Sequence, residues 1–328
     1  MYKVLIYGGG TIGSYLAACL YKKSKIYFIT RENILKKIKE RGLNVEVFKN
    51  KYKIKNYRLK KILPYENINL IPKNIKFDYI FITTKLNSDL ESTLKKIDPY
   101  IGSNTTLIPP CTSIPFWFYL SLNKKYKEKF YRKLRKYEKK NIIRKNIVGM
   151  TMWLSGHMVR PGLVKISHIQ RGFPLKEVFE ENKNKTDILR KLIKEECPSP
   201  KVNNIFSEIF TKSLNSLSFN LIALITKKNN KELDNDTAAK KKILNIMNES
   251  EKILHKNNIR IYQSAENRII QTLRSKTHTM SMLYSYLNNR KIEIYPLSES
   301  FLNYGKILNV DFKYLKKYIS ILKKTIKI

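Results

Sequence analysis

Within Gly8-Gly9-Gly10-Thr11-Ile12-Gly13, glycines at positions 8, 10 and 13 follow a β-favouring apolar run, Val4–Tyr7, and precede a helical pattern over Ser14–Lys22. Glycines so placed permit a tight turn, close backbone approach to a pyrophosphate, and close helix–strand packing. The amides at the helix start, those of Thr11 and Ile12 among them, then face phosphate oxygens. Loops collect glycine for many reasons; the strand–turn–helix order is what favours dinucleotide binding here. A second run, Lys25–Thr30, ends in Thr30-Arg31-Glu32. An acid at this point holds the ribose 2′-hydroxyl of NAD, whereas an arginine accommodates the 2′-phosphate of NADP. Arg31 predicts NADPH; Glu32 keeps NAD as the alternative and also reads as an ordinary helix-start acid. Further along, Lys212 heads the stretch Ser213–Thr226, which has no charged residue in a chain that is 28% charged. Ser216 and Asn220 follow at helical spacing, so at about 100° per residue the three share one face. An ammonium gathered with a hydroxyl and an amide can polarise a carbonyl and hand it a proton, best where partial burial lowers its pKa. The competing reading is a solvated lysine at a helix start.

Elements in β–turn–α–β order must position these groups. After the strands at 4–7 and 25–30 comes an amphipathic helix, Glu32–Arg41, then short strands over Phe77–Thr83 and Thr105–Ile108. Ile147–Leu154 reads as a further strand, and Pro161–His168 as a Pro-Gly turn and extended run forming an antiparallel edge hairpin. This alternation predicts an α/β domain with a doubly wound (Rossmann-like) parallel sheet. Cys197-Pro198-Ser199-Pro200 breaks the pattern. Beyond it the periodicity gives helices only: Asn204–Thr226, Asp236–Lys256, Arg260–Arg274, Met280–Leu287, Leu297–Leu308 and Phe312–Lys324. The expected division is a dinucleotide-binding domain over 1–200 and an all-α substrate-binding and catalytic domain over 201–328.

The chain has 328 residues, with 65 Lys+Arg against 26 Asp+Glu and a net charge of +39. A hydrophobic share of 42% supports packed cores and excludes a disordered tail protein. Apolar stretches such as Tyr79–Thr83 and Phe116–Leu122 are too short to span a bilayer, so no membrane partner is expected. No basic leader with an apolar core opens the sequence. Three widely spaced cysteines, Cys19, Cys111 and Cys197, argue against a disulfide framework or zinc site, and no metal is expected. Together these predict a reduced, cytoplasmic protein. The positive charge is mostly lysine spread over the whole chain, and even Lys124–Lys145 is broken by Glu128 and Glu138. A drifted lysine-rich surface is favoured over a dedicated polynucleotide site, which steep salt dependence would reveal.

With these residues assembled, the sequence resembles the ketopantoate reductase (2-dehydropantoate 2-reductase) family over most of its length. The likeness lies in Gly8–Gly13, in Arg31 with the following helix and Gly42-Leu43, and in the strand that Asp78 opens and Thr84-Lys85 finishes. It continues in the loop after Thr105–Ile108, in Pro161-Gly162, and in two helical motifs. The resemblance implies NADPH-dependent reduction of a small 2-keto acid, foremost 2-dehydropantoate to (R)-pantoate in pantothenate biosynthesis. Lys85 matches a lysine near the cofactor. Lys212 matches the lysine that protonates the keto oxygen as hydride arrives, with Ser216 and Asn220 on the substrate. His278-Thr279-Met280-Ser281-Met282-Leu283 matches the family's Ser-Met-Leu run, and Glu293 keeps the twelve-residue spacing from Ser281. Ser281 is then a ligand of the substrate carboxylate or a hydroxyl, and Glu293 accepts a hydrogen bond from a substrate or ribose hydroxyl. Alone, the first is an ordinary helix-surface serine and the second a solvated acid; His278 is read as structural.

The chain also departs from the family. Cys111-Thr112-Ser113 stands where Gln-Asn-Gly is usual in the loop over the nicotinamide, so Thr112 offers a hydroxyl in place of an amide. The continuation Ile114-Pro115-Phe116-Trp117 is similar to one branch of the family. Ser216 stands where asparagine is usual, Ser285 where an acid is, and Tyr295 where aspartate is common. Each lost contact weakens orientation by about 1–3 kcal/mol if its partner stays buried. Three readings therefore compete: a 2-keto acid reductase in which hydride crosses an interdomain cleft, a non-catalytic NADP-binding relative, and a basic nucleic-acid binder. The first is preferred, with no specific nucleic-acid partner, and a homodimer is allowed.

Overall fold

Parallel strands covered on both faces carry no polar alternation, and β1 (Tyr2–Tyr7) shows this in Val4, Leu5 and Ile6, all fully buried. The structure, a computed structural model, describes residues 1–326 except 50, 87–88, 110–112, 123, 138, 143–145 and 277, and the side chains of 119–121 and 133–135 are likewise outside the description. After β1 come α1 (Thr11–Leu20), β2 (Ser24–Ile29), α2 (Glu32–Arg41), β3 (Leu43–Lys49), β4 (Tyr52–Leu59), β5 (Leu63–Tyr65), β6 (Tyr79–Ile82), α3 (Leu90–Ile97) and β7 (Thr106–Ile108). The first sheet runs β5-β2-β1-β6-β7 with every neighbour parallel. The chain winds outward from β1 through β2 and later returns to β1's other side with β6. The carboxyl ends of β1 and β6 thus form the switch point at which open α/β sheets take ligands.

Residues 43–59, not assigned as strands from the sequence although Leu43, Val45 and Val47 alternate with polar residues, form a hairpin in a second sheet. Later in the chain come α4 (Lys124–Leu134), β8 (Val148–Met150), β9 (Trp153–Arg160), β10 (Leu163–Gly172), β11 (Leu175–Glu177) and α5 (Lys183–Lys194). The second sheet has the order β4-β3-β10-β9, with β3 and β10 parallel and the outer pairs antiparallel. The expected Pro161-Gly162 hairpin is present, but only β9 is an edge; β10 is internal. The exposed β4, which carries Lys53 and Lys55, is the other edge, and its apolar Tyr52 and Ile54 face solvent. The helix expected over Ser14–Lys22 begins at Thr11 and is not one-sided. It packs on β1 and β2 and also on β3, β9, β10 and α5, so Gly13 to Leu20 are all buried.

Glu196, just beyond α5, ties these layers together. It accepts hydrogen bonds from Lys22 (2.7 Å), Lys55 (2.9 Å) and the Tyr57 hydroxyl (2.8 Å). Burial opposes its charge, yet the two ammonium groups and the phenol outweigh burial and hold the carboxyl at about 2. A folded-state pKa below the unfolded value stabilises above about pH 4, and the contribution is lost as pH falls through about 2. Glu196→Gln is therefore expected to cost about 1–2 kcal/mol at pH 7, after solvent screening at the exposed lysines, and only a small fraction of that, roughly, at pH 2. Denaturant melts at the two pH values check this; an equal cost at both would refute the ionic assignment.

Two compact units emerge, Met1–Cys111 with Lys136–Ile205, and Thr112–Arg135 with Phe206–Ile328. The split drawn at 200/201 from sequence differs in two places. The first unit runs on past Cys197–Pro200 to Ile205, and the Phe173 N–H donating to Pro198 O (2.8 Å) and the Ser199 hydroxyl donating to Phe173 O (2.7 Å) fasten that stretch to it. Residues 112–135 join the helical unit because Phe118 packs against Phe130, Phe206, Phe210 and Tyr304, with centroids 4.8 Å apart for Phe118–Phe210. A linear reading has no access to such an excursion.

The helical unit contains α4 and α6 (Ile205–Thr226), α7 (Asn230–Asp234), α8 (Thr237–His255), α9 (Ala265–Leu273), α10 (Ser281–Leu287), α11 (Ile294–Leu308) and α12 (Lys313–Thr325). Their starts have local causes. Asp236 accepts from the Ala239 N–H (2.8 Å), Asn229 and Glu232 form a capping box on α7, and Ser264 caps α9. That last cap shortens the expected Arg260–Arg274 helix to start at Ala265. Phe312 gives α12 no side-chain cap; instead the buried Glu249 of α8 accepts from the Tyr314 and Leu315 amides, both at 2.9 Å. Among the described residues no strand lies in 206–328 and no helix is long and apolar enough to cross a membrane.

Candidate active site

The glycine turn sits at the switch point. Gly8, the residue after β1, has φ +128°, a conformation that favours glycine, and its N–H donates to Ile29 O (3.2 Å). A Cβ on Gly9 would fall 2.2 Å from the Thr30 hydroxyl, and one on Gly13 2.2 Å from the Gly8 carbonyl oxygen. Gly10 differs: nothing lies within 4 Å of where its Cβ would point. Gly10 is also the N-cap of α1 and supplies no side-chain hydrogen bond, so the first-turn amides of Thr11 and Ile12 have no side-chain cap. Open space beside uncapped, aligned N–H groups is a cradle that a diphosphate fits and a side chain would fill.

Neighbouring strands bring further groups to the same end of the sheet. Thr30 and Arg31 follow β2, and Thr83 to Lys85 follow β6, on either side of the glycine turn. Arg31 and Lys85 are exposed. Glu32 pairs with Lys36 one turn later (2.7 Å), which lowers its pKa, so this acid serves its own helix. Thr83 was not singled out by sequence, where a threonine ending a strand carries no signal. In the structure its hydroxyl donates to Gly8 O (2.7 Å).

The helical unit assembles a second group. Lys212 lies in the second turn of α6 and is half-buried, and burial lowers its pKa from the ordinary lysine value. Ser216 is half-buried on the same face, and Asn220 is only 3% exposed. The Asn220 amide nitrogen donates to Ser216 O (2.8 Å) and approaches the Ser216 hydroxyl (3.4 Å). Its oxygen accepts from the Met282 N–H at 2.9 Å. Asn220 therefore braces α10 against α6 and fixes the exposed Ser281, the first residue of α10, relative to Lys212. The sequence grouped Asn220 with Ser216 correctly by face but had no means of finding the Met282 bond. Glu293 is half-buried at the N-cap of α11. The His278 carbonyl accepts from the Asn230 N–H (3.0 Å), a backbone brace. Thr112, expected over the nicotinamide, lies outside the described residues together with Cys111. Ser113 is hydrogen-bonded to Ser300 of α11, and the Tyr304 hydroxyl donates to Pro115 O (3.3 Å), so this segment is held on the helical unit. Among the described residues no group of three His, Cys, Asp or Glu side chains could hold a metal ion.

A glycine turn at the switch point of a parallel sheet, followed in the chain by a helical unit with a half-buried lysine, is the plan of a two-unit oxidoreductase. Comparison with known proteins gives the lineage. Residues 4–109 match the ketopantoate reductase PanE/ApbA family and residues 204–325 match its C-terminal counterpart. The chain belongs to the ketopantoate reductase family, whose members are NAD(P)-dependent oxidoreductases. It is 23% identical over 315 residues to a 2-dehydropantoate 2-reductase of Mesorhizobium japonicum, covering 94% of this chain and 92% of that one. Its fold is similar to the crystal structure of 2-dehydropantoate 2-reductase from Geobacter metallireducens, with TM-score 0.79, 16% identity, and coverage of 99% and 100%. It is also similar to the ternary structure of D-mandelate dehydrogenase with NADH and anilino(oxo)acetate, with TM-score 0.78, 21% identity, and coverage of 98% and 97%.

Proposed function

We propose that this enzyme uses NADPH to reduce a small 2-keto acid, 2-dehydropantoate to (R)-pantoate, as a step of pantothenate biosynthesis in the cytoplasm. The observation that carries the reading is Lys212: an ammonium whose pKa burial lowers, on one helix face with Ser216 and Asn220, in a chain of this family. When bound, a reduced nicotinamide would supply the hydride that the keto carbon takes up. Lys212 polarises the carbonyl and gives its proton to the oxygen, which becomes the product hydroxyl. Ser216 and Ser281 hydrogen-bond the substrate's carboxylate and hydroxyl groups, and Asn220 keeps their two helices in register. Glu293 accepts from a substrate or ribose hydroxyl, and Lys85, at the end of the strand beside the glycine turn, would line the cofactor. Gly8, Gly9, Gly10 and Gly13 shape the cradle, with the Thr11 and Ile12 amides on the diphosphate. The preference for NADPH rests on Arg31, exposed at the end of β2, while Glu32 is engaged by Lys36.

The test is the purified protein with NADPH and 2-dehydropantoate, followed by loss of NADPH absorbance, beside a panel of 2-keto acids that includes bulky aromatic ones. Turnover of 2-dehydropantoate above the rest is expected. Tight NADPH binding without turnover of any member would favour a non-catalytic relative, a reading that Cys111-Thr112-Ser113 motivates.

The cradle makes its own prediction. Gly10→Ala points a methyl into open space, so stability should stay within about 0.5 kcal/mol while NADPH binding weakens tenfold or more, roughly. Gly13→Ala collides with the Gly8 carbonyl and should cost about 1–3 kcal/mol of stability as well. Thermal melts beside nucleotide titration separate the two; unchanged affinity in Gly10→Ala would place the diphosphate elsewhere.

A further inference from the structure

Thr83 stands where the strand after the switch point meets the glycine turn, and it touches two of the three glycines. Its N–H donates to Tyr7 O (2.9 Å), continuing the β1–β6 pairing by one residue. Its hydroxyl donates to Gly8 O at 2.7 Å. A Cβ on Gly13 would lie 2.7 Å from that same hydroxyl oxygen, and one on Gly8 2.8 Å from the Thr83 carbonyl carbon. The hydroxyl thus fills the notch between the residue that leaves β1 and the helix that follows.

The consequence runs through one peptide plane. The Gly8–Gly9 peptide is planar and trans, so the Gly8 carbonyl and the Gly9 N–H point in opposite directions within a rigid unit. Gly8 has no side chain to restrict its own rotation, and glycine turns sample many orientations at little cost. A hydrogen bond on the Gly8 carbonyl holds the plane and with it the direction of the Gly9 N–H, the first donor of the cradle. We propose that Thr83 is a positioning residue for dinucleotide binding, its hydroxyl presetting the glycine turn through the Gly8 carbonyl. This rests on the reading of the turn as a nicotinamide dinucleotide site. Thr83 acts on affinity for the nucleotide and leaves proton transfer to the keto acid untouched.

The experiment compares Thr83→Val, which keeps the β-branched shape and removes the donor, with Thr83→Ser, which keeps the donor. NADPH dissociation constants, KM for each substrate, kcat and Tm are measured on the full chain. Thr83→Val should weaken NADPH binding and raise its KM by about 5–30-fold, with kcat and the keto-acid KM within about twofold. Thr83→Ser should restore NADPH affinity to within about twofold of the parent. If Thr83→Val does not fold, Thr83→Ala replaces it with the same expectation. Affinity unchanged in the variant lacking the donor, or Thr83→Ser as weak as that variant, overturns the proposal. A parent protein that binds neither NADPH nor NADH overturns the dinucleotide reading itself, and the two failures are told apart by the parent titration alone.

Discussion

Lys212→Ala is expected to lower kcat for keto-acid reduction by about 10²–10⁴, or about 3–5 kcal/mol of transition-state stabilisation, while leaving the fold intact. The ammonium has two tasks in the proposed chemistry. It stabilises charge growing on the keto oxygen, and it parts with a proton when the hydride lands. Burial helps the second task because it lowers the pKa of Lys212, so the group gives up its proton more readily than an exposed lysine. Only the protonated form can act, so kcat/KM should fall as pH rises through this lowered pKa, below the range where an ordinary lysine titrates. Lys212→Arg separates the tasks: a guanidinium keeps the charge but holds its proton too tightly. It should retain more substrate affinity than Lys212→Ala and recover little of kcat. Steady-state kinetics across pH, with Tm as the folding control, checks all three statements. Turnover in Lys212→Ala equal to the parent would remove the lysine from the chemistry.

The second large effect concerns the scaffold beneath that lysine. Arg268 of α9 is 1% exposed, forms an ion pair with Glu251 of α8, and donates to the Asn215 side-chain oxygen of α6 at 3.4 Å. Burial brings its guanidinium pKa down to about 10, and its Nε is buried without a partner. A charge this enclosed depends on its carboxylate, because no water replaces a lost partner. Glu251→Ala is expected to cost about 3–5 kcal/mol. At about 2–4 °C per kcal/mol, this is a drop in Tm on the order of 10 °C. Glu251→Leu combined with Arg268→Met should recover most of the loss, since a well-packed apolar pair removes the desolvation penalty along with the attraction. Asn215 lies three residues beyond Lys212, so the single variant should also loosen the catalytic face and the double variant should tighten it again. A single-variant loss under about 1 kcal/mol would show that water reaches the pair.

Much of this molecule was legible from residue types and short spacings. A continuous apolar run followed by three glycines determines β1, its turn and α1, because those constraints act within a dozen residues. Glu32–Arg41 is bounded locally by Arg31 and by Gly42, whose φ is +79°, and its limits were readable for that reason. The shared face of Lys212, Ser216 and Asn220 follows from helical periodicity alone. What the sequence could not determine are relations between segments far apart in the chain. The second sheet needs β3 beside β10, more than a hundred residues away, a pairing that no spacing within either strand announces. The same holds for residues 112–135 in the helical unit, for Glu249 capping α12, for Asn220 holding Met282, and for the Thr83 hydroxyl on Gly8. Each is a hydrogen bond or a packed contact whose partner is chosen by proximity in space, and a polar side chain carries no mark of which distant amide it will meet. Residue identity along the chain thus settled which chemistry is available; the tertiary structure alone decided which groups hold that chemistry in place.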